Sequence, residues 1–269
     1  MKLKFFLFII ICPLFTFSQF SEKKIYDISK ISSSLKIKID GVFNDLAWQD
    51  INLANDFIQL SPNNGAKERP NQKTEVKLCY DDKYLYVAAK LLDNAPDSIL
   101  KELSSRDDKQ KNCDLFAIYL NPYNNGQMEY SFAVTAAGVQ IDSKISSGNE
   151  DQSWNAVWNS SVKINKEGWN VEIAIPFSSL RFPDNNKSWA LNIARTIRRY
   201  REDYSWNPID VSFQNYSIQS GLLDGIKNIN SPIRLSFMPY SSLYFESYNG
   251  IKEYPNNFGM DLKYGINES

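Results

Sequence analysis

Histidine is missing from this sequence altogether, since none of the 269 residues is a histidine. Its absence excludes Ser-His-Asp and Cys-His catalysis, histidine zinc sites and histidine-ligated haem. Any chemistry must therefore use carboxylates, lysine, tyrosine or a hard-metal site. A glycoside hydrolase needs two carboxylates placed across a cleft, and no motif pairs any two of them here. We therefore predict that the chain is not an enzyme.

An excess of charge of either sign is also missing, because 30 Lys and Arg residues face 31 Asp and Glu residues. Affinity for nucleic acids requires a net positive surface, so we predict no nucleic-acid partner. Cysteine is scarce as well. Apart from Cys12 in the apolar N-terminus, only Cys79 and Cys113 are present. In an oxidising compartment these two could form one disulfide, or they could remain two separate buried thiols.

Long apolar runs are confined to the N-terminus. Two lysines precede an apolar run over residues 5–17, which is too short for a membrane span and has the layout of a secretory signal peptide. Thr16 and Ser18 provide the small residues that a cut before Gln19 requires. We therefore predict a signal peptide over residues 1–18 and a mature protein that is periplasmic or associated with the outer membrane.

Alternation with period two dominates the remaining sequence. Residues 76–80, 128–134 and 169–175 alternate apolar with polar or small side chains, which is typical of half-buried antiparallel strands. Residues 84–92 are apolar apart from Lys90 and favour a strand covered on both faces. Clusters of Asn, Asp, Gly and Pro separate these segments, and candidate helices are confined to one or two turns. The pattern predicts an all-β protein, an antiparallel β-sandwich of the jelly-roll type.

The character of the sequence changes after Asn230. Residues 234–245 alternate over a long segment, and residues 260–265 alternate again behind a polar turn. This predicts a sandwich over residues 19–232 and a hairpin of long strands over residues 233–269. The hairpin could be the last one of the sandwich or the beginning of a truncated outer-membrane barrel, whose strands alternate in the same way.

Five segments resemble the family 9 carbohydrate-binding modules, in the same order along the chain. They are residues 38–41, 45–48, 80–87, 114–120 and 168–180. The tail at residues 259–265 is similar to the version that precedes an outer-membrane barrel of unknown function in Gram-negative bacteria. The resemblance implies a β-sandwich that holds the end of a sugar chain between aromatic rings, with structural calcium. It also favours the interpretation of residues 233–269 as the beginning of a barrel.

The resemblance places candidate ligand-binding residues one position at a time. Trp206 stands where the modules carry a late aromatic platform, on which the C–H face of a sugar can stack. The loop at residues 104–108 lacks the second platform, and Trp154 could replace it. Charged side chains bond sugar hydroxyls, which adds the candidates that complete the predicted site: Arg106, Arg198 and Glu202.

Acidic residues of the same region form a candidate metal site. Asp107, Asp108 and Asp114 could hold a calcium ion, because calcium prefers hard oxygen ligands. Their spacing does not follow that of an EF-hand, and a solvated loop with a local ion pair is the alternative. No catalytic residue is predicted.

The sequence therefore predicts a non-catalytic domain that binds an oligosaccharide or polysaccharide, in a protein linked to carbohydrate catabolism. The first alternative is a structural or partner-interaction sandwich that has lost sugar binding, which the missing second aromatic ring favours. A glycoside hydrolase based on carboxylates is the third hypothesis.

Overall fold

The computed structural model describes residues 22–109, 111–183, 188–229 and 235–264, with side chains except at residues 235, 236, 263 and 264. The predicted signal peptide therefore lies outside the described residues. Within the described residues, no helix is both long enough and apolar enough to cross a membrane.

Strands account for nearly all of the regular structure. In chain order they are β1 (Ile25–Asp27), β2 (Ser29–Lys30), β3 (Leu53–Ala54), β4 (Ile58–Ser61), β5 (Thr74–Tyr80), β6 (Tyr84–Leu92), β7 (Leu115–Asn121), β8 (Met128–Thr135), β9 (Gln140–Ser146), β10 (Asn149–Asp151), β11 (Asn159–Asn165), β12 (Gly168–Pro176), β13 (Ser188–Ile197), β14 (Glu202–Ser205), β15 (Gly221–Asp224), β16 (Leu235–Leu243), β17 (Glu246–Tyr248), β18 (Ile251–Glu253) and β19 (Asn256–Tyr264). Short 3-10 helices span Leu46–Trp48, Pro96–Ser98, Phe177–Ser179, Arg198–Tyr200 and Ser217–Gln219.

Two sheets face each other and enclose the core. The first is nine-stranded, in the order β1-β15-β13-β7-β8-β9-β10, with β14 and β4 attached beside β13. The second is six-stranded, in the order β11-β12-β6-β5-β2, with β3 also pairing with β5. Trp169 of the second sheet and Trp189 of the first are both fully buried in the cluster between the sheets. The predicted all-β sandwich is thereby confirmed.

The sandwich is not purely antiparallel, which corrects the sequence-based prediction. β1 runs parallel to β15 of the first sheet, and β2 runs parallel to β5 of the second. A single residue, Ile28, separates β1 from β2. The N-terminal segment therefore crosses from one sheet to the other in one direction, and it adds a parallel strand to the edge of each.

Cys79 and Cys113 are both free and buried, so the structure supports two separate thiols and not a disulfide. Burial raises the pKa of the Cys79 thiol to about 12.

The long C-terminal strands β16 and β19 pair with each other in antiparallel register, and β17 pairs with β18, as expected for a hairpin. Within the described residues neither pair joins the sheets of the sandwich. The hairpin exposes large apolar side chains, such as Leu243 (75 % exposed) and Phe258 (80 % exposed).

Candidate binding site

The side of the nine-stranded sheet that faces away from the core is here called the outer face. Phe116 and Ile118 of β7 and Phe132 of β8 point inward into the core cluster. Because side chains alternate along a strand, the intervening residues point to the outer face. Ala117 pairs in register with Ala133 of β8 and with Ala194 of β13. These alanines are small, and cavities lie on either side of the row that they form.

The larger of these cavities has a volume of about 290 Å³ and is here called the acidic cavity. Its walls combine two carboxylates, two tyrosine rings, several amides and several hydroxyls. They include Tyr119, Glu129, Ile145, Glu150, Asn192, Ser205, Gln214, Asn215, Tyr216, Ser217 and Ser220. Carboxylates, amides and hydroxyls can all bond sugar hydroxyls, while an aromatic ring can pack on the C–H face of a sugar.

The segment between β14 and β15 forms one wall of the acidic cavity and is fixed at its base by Asn207. The Asn207 side-chain oxygen accepts a hydrogen bond from the Lys24 backbone N–H at 2.8 Å, and its amide nitrogen donates to the Gln219 carbonyl at 2.6 Å. The Asn207 backbone N–H donates to the side chain of Asn192 on β13 at 3.0 Å. These bonds hold the start and the end of the segment together over the sheet.

Glu129 and Glu150 occupy different electrostatic environments within the acidic cavity. Burial raises the pKa of Glu129, and hydrogen bonds from Ser217 and Ser220 oppose that effect without cancelling it. Burial would also raise the pKa of Glu150, but the bonds from Lys109 and Ser143 outweigh it and bring the pKa below its ordinary value.

A smaller cavity of about 160 Å³, here called the end cavity, lies on the other side of the alanine row. Two of the residues predicted from the sequence, Asp108 and Arg198, line it together with Asp203 and Lys109. Lys109 forms an ion pair with Glu150 of the acidic cavity. The ion pair therefore connects the rims of the two cavities.

The predicted platform, Trp206, is only 4 % exposed and belongs to the core between the sheets. Tyr26 packs edge-on against its ring with centroids 6.3 Å apart, and the Lys24 ammonium lies 5.8 Å from the ring centroid. A Cβ atom added at Gly221 would come within 3.0 Å of the same ring. In the described structure Trp206 therefore offers no open face on which a sugar could stack.

Trp154 and Arg106, the other predicted residues of that region, contact the protein itself. The Trp154 ring lies 5.1 Å from Tyr130 and 5.8 Å from Phe132, both of which point into the core. The Arg106 guanidinium forms an ion pair with Asp142 and donates to the Ala156 carbonyl at 3.0 Å. Both residues therefore fasten the segment after β10 to the sandwich.

Glu202 and Arg198 are not brought together as a ligand-binding pair. Glu202 accepts two hydrogen bonds from the Arg69 guanidinium, at 2.8 and 2.6 Å, and one from the Tyr204 hydroxyl at 2.7 Å. Arg198 donates from its side chain to Asn112 at 3.1 Å. Arg198 lines the end cavity.

The three predicted calcium ligands do not converge. An oxygen of Asp107 accepts a hydrogen bond from the Asp142 backbone N–H at 3.0 Å, and an oxygen of the buried Asp114 accepts one from the Arg198 backbone N–H at 3.0 Å. Asp108 lies at the end cavity. Across the described ranges, no three acidic, cysteine or histidine side chains are placed to hold a metal ion. The three predicted residues are therefore not arranged as one calcium site in the described structure.

A further cavity of about 440 Å³ lies on the other side of the sandwich, against β5 and β6. Two of its charged groups bond elsewhere in the protein: Lys77 donates to the Trp48 carbonyl at 2.7 Å, and Lys90 pairs with Glu167 at 2.8 Å. Asn44, Gln49 and Glu75 also line it. The Trp48 ring is only 3 % exposed. This cavity is larger than the acidic cavity, but the wall of the acidic cavity contains two tyrosine rings, of which that of Tyr216 is 43 % exposed.

The sequence did not point to Glu129, Glu150 or Tyr119, nor to the residues of the segment between β14 and β15 that forms one wall of the acidic cavity. A weak signal was present in β7 and β8, where the outward positions 117, 131, 133 and 135 carry Ala, Ser or Thr in place of the charged residues usual on a solvent-exposed face. Small outward residues on adjacent strands leave room for a ligand. The signal becomes visible only once the register of the strands is known.

A two-sheet sandwich with polar, partly aromatic cavities on one outer face belongs to the class of ligand-binding β-sandwich domains. The chain is a member of the carbohydrate family 9 binding domain-like family, whose sequence profile matches residues 39–203. Residues 231–269 match a domain family of unknown function, DUF5916.

Similar proteins agree with this assignment. The chain is 29 % identical over 143 residues to endo-1,4-beta-xylanase C of Paenibacillus barcinonensis, a match that spans 53 % of this chain and 12 % of the xylanase. A family 9 carbohydrate-binding module of Caldicellulosiruptor kristjanssonii, solved with cellotriose, superposes with a TM-score of 0.54 at 16 % identity, covering 76 % of this chain and 95 % of the module. A Bacteroides uniformis protein to which carbohydrate binding has been attributed superposes with a TM-score of 0.61 at 12 % identity, covering 76 % of this chain and 99 % of that protein. At these identities the structural likenesses establish the fold.

Proposed function

We propose that this protein is a non-catalytic carbohydrate-binding domain that holds a saccharide in the acidic cavity. The observation that carries the proposal is the lining of that cavity, where two carboxylates, amides and hydroxyls stand around Tyr119 and Tyr216. Its volume of about 290 Å³ is near the lower end of small-molecule sites, which suits one or two sugar units. The solved family member with cellotriose and the similarity to a xylanase support a ligand from plant polysaccharides and a link to carbohydrate catabolism.

Replacing Tyr216 by alanine tests this site. Tyr216 is 43 % exposed and lines the cavity, so its loss should remove a stacking surface without opening the core. We expect cello- or xylo-oligosaccharides to bind the wild-type chain saturably in calorimetry and Tyr216→Ala to bind about tenfold more weakly, with an unchanged melting temperature.

Two variants control this experiment. Tyr248→Ala removes a tyrosine that is 78 % exposed on the C-terminal hairpin, and it should bind like the wild type. Trp206→Phe should lower the melting temperature and leave the affinity unchanged, because the ring is buried. Loss of binding in Trp206→Phe without loss of stability would move the site to Trp206. If the wild type bound no sugar on a glycan array, the partner-interaction sandwich would be favoured. Release of reducing ends from a polysaccharide would favour a hydrolase.

We also propose that the protein is exported and associated with the outer membrane. The proposal is supported by the signal-peptide pattern over residues 1–18, by the match of residues 231–269 to DUF5916 and by the apolar side chains exposed on the hairpin. Fractionation of cells that express the full chain should recover it in the outer-membrane fraction with Gln19 as its first residue. Recovery from the cytoplasm with Met1 intact would refute export.

A further inference from the structure

The acidic cavity carries two carboxylates and no basic residue among the described residues that line it. Glu129 and Glu150 are its charged residues, and the others are apolar, amide, hydroxyl or tyrosine side chains. The protein as a whole is almost neutral, with a formal charge of -1. The negative charge is therefore a local property of this cavity.

Strand register places the two carboxylates side by side on one face. Ile145 of β9 pairs in register with Glu129 of β8 and with Glu150 of β10. The two glutamates therefore lie two strand spacings apart, with about 10 Å between their Cα atoms. Both line the same cavity, so a group bound between them would be within reach of both.

Among the residues that the structure describes, a cationic partner is present for one of the two carboxylates. Glu150 forms an ion pair with Lys109. Glu129 accepts hydrogen bonds from the neutral hydroxyls of Ser217, at 2.8 Å, and Ser220, at 3.4 Å. In the described part of the chain no Lys or Arg forms an ion pair with Glu129, which is 5 % exposed. A buried carboxylate without a counter-ion is costly, and a cation supplied from outside would relieve that cost.

We infer that the acidic cavity takes a saccharide unit that carries a free amino group, with the sugar ammonium bonded to Glu129. The inference rests on the proposed function and specifies its substrate class. A carboxylate has about four acceptor positions, and the two serine hydroxyls leave some of them for the ammonium. The remaining sugar hydroxyls can bond Glu150 and the amides of the cavity wall. Neutral sugars bind the same cavity through hydroxyls alone and therefore more weakly.

Three β-1,4-linked oligosaccharides of equal length differ only at the second carbon of each unit and test the inference. They are chitosan, N-acetylated chitin and cellulose oligomers, which carry an ammonium, an acetamide and a hydroxyl group there. With the full mature chain in calorimetry at neutral pH, we expect the chitosan oligomer to bind about tenfold more tightly than the cellulose oligomer. Glu129→Gln should abolish this preference, because a neutral amide no longer pairs with the ammonium group.

A matched variant controls for unspecific attraction of a cationic oligomer. Glu167→Gln removes one negative charge from an exposed turn of the other sheet, and it should keep the preference. Equal affinities for the chitosan and cellulose oligomers, or a preference that survives in Glu129→Gln, would overturn the inference and leave the proposed function standing. Absence of binding for all three oligomers would instead overturn the proposed function together with it.

Discussion

Replacing Arg195 by methionine is expected to lower the free energy of unfolding by about 3 to 5 kcal/mol, because it removes one side of a buried charge cluster. Arg195 points inward from β13 and is only 1 % exposed. Its guanidinium donates at 2.8 Å to the carbonyl of Gln72, just before β5, and at 2.8 Å to the carbonyl of Leu92, the last residue of β6. Both strands belong to the opposite sheet. The side chain therefore links the two sheets directly.

The charges around Arg195 explain the size of this effect. Burial lowers the pKa of Arg195 to about 10, while the carboxylates of Asp114 and Asp93 favour its charged form. Burial raises the pKa of Asp114, an effect that its hydrogen bond from Arg198 and the charges of Arg195 and Arg199 oppose. Without Arg195, Asp114 would keep a buried negative charge with less compensation, and three backbone carbonyls would lose a donor.

The dependence on pH of this loss of unfolding free energy gives a second measurement. Removing the Arg195 charge should raise the pKa of Asp114 in the folded state further above its unfolded value. A carboxyl group with a raised folded pKa binds its proton more tightly in the native state, so its contribution to stability falls as the pH rises through that interval. The loss of unfolding free energy in Arg195→Met, relative to the wild type, should therefore be largest at neutral pH and smaller in acid.

Urea unfolding of Arg195→Met and of Arg181→Met checks this prediction, because Arg181 is an exposed arginine and should tolerate the change. A deficit below about 1 kcal/mol at neutral pH, or one that grows in acid, would show that the cluster does not stabilise the sandwich in this way.

Replacing Glu172 by alanine is expected to lower the free energy of unfolding by about 3 kcal/mol, because it leaves three hydrogen-bond donors without an acceptor. Glu172 lies on β12 and is fully buried. Its carboxylate accepts hydrogen bonds from the backbone N–H groups of Asp40 and Gly41, at 2.9 and 2.8 Å, and from the Trp48 ring at 3.0 Å. These bonds hold the segment before β3 against the outside of the six-stranded sheet.

Gly41 shows how closely this segment approaches the sheet. Its φ of +79° lies in the region that favours glycine, and an added Cβ atom would come within 2.9 Å of Lys163. Glu172→Ala should therefore loosen the segment as well as lower stability. Limited proteolysis should cut the variant near residues 31–51 faster than the wild type. Glu172→Gln keeps one acceptor oxygen and should therefore lose less unfolding free energy than Glu172→Ala. Equal losses of stability in the two variants would show that the hydrogen bonds of Glu172 are not the cause.

The sequence by itself determined the strands and the fold class. Residues 84–92, 128–134 and 169–175 all fall within strands of the sandwich, because alternation and continuous apolar runs are local properties that burial on one or both faces imposes. The resemblance of short segments to the family 9 modules is of the same local kind. The profile that matches residues 39–203 confirms it.

The tertiary structure alone decided which residues share a site. Trp206 matched the position of a platform, yet Tyr26, 180 residues earlier in the chain, packs against its ring in the core. Glu129 and Glu150 carry no motif and meet only because Ile145 pairs with both. The physical reason is that a strand's alternation fixes which side chains share a face, whereas pairing between strands distant in sequence fixes which of them become neighbours across the sheet.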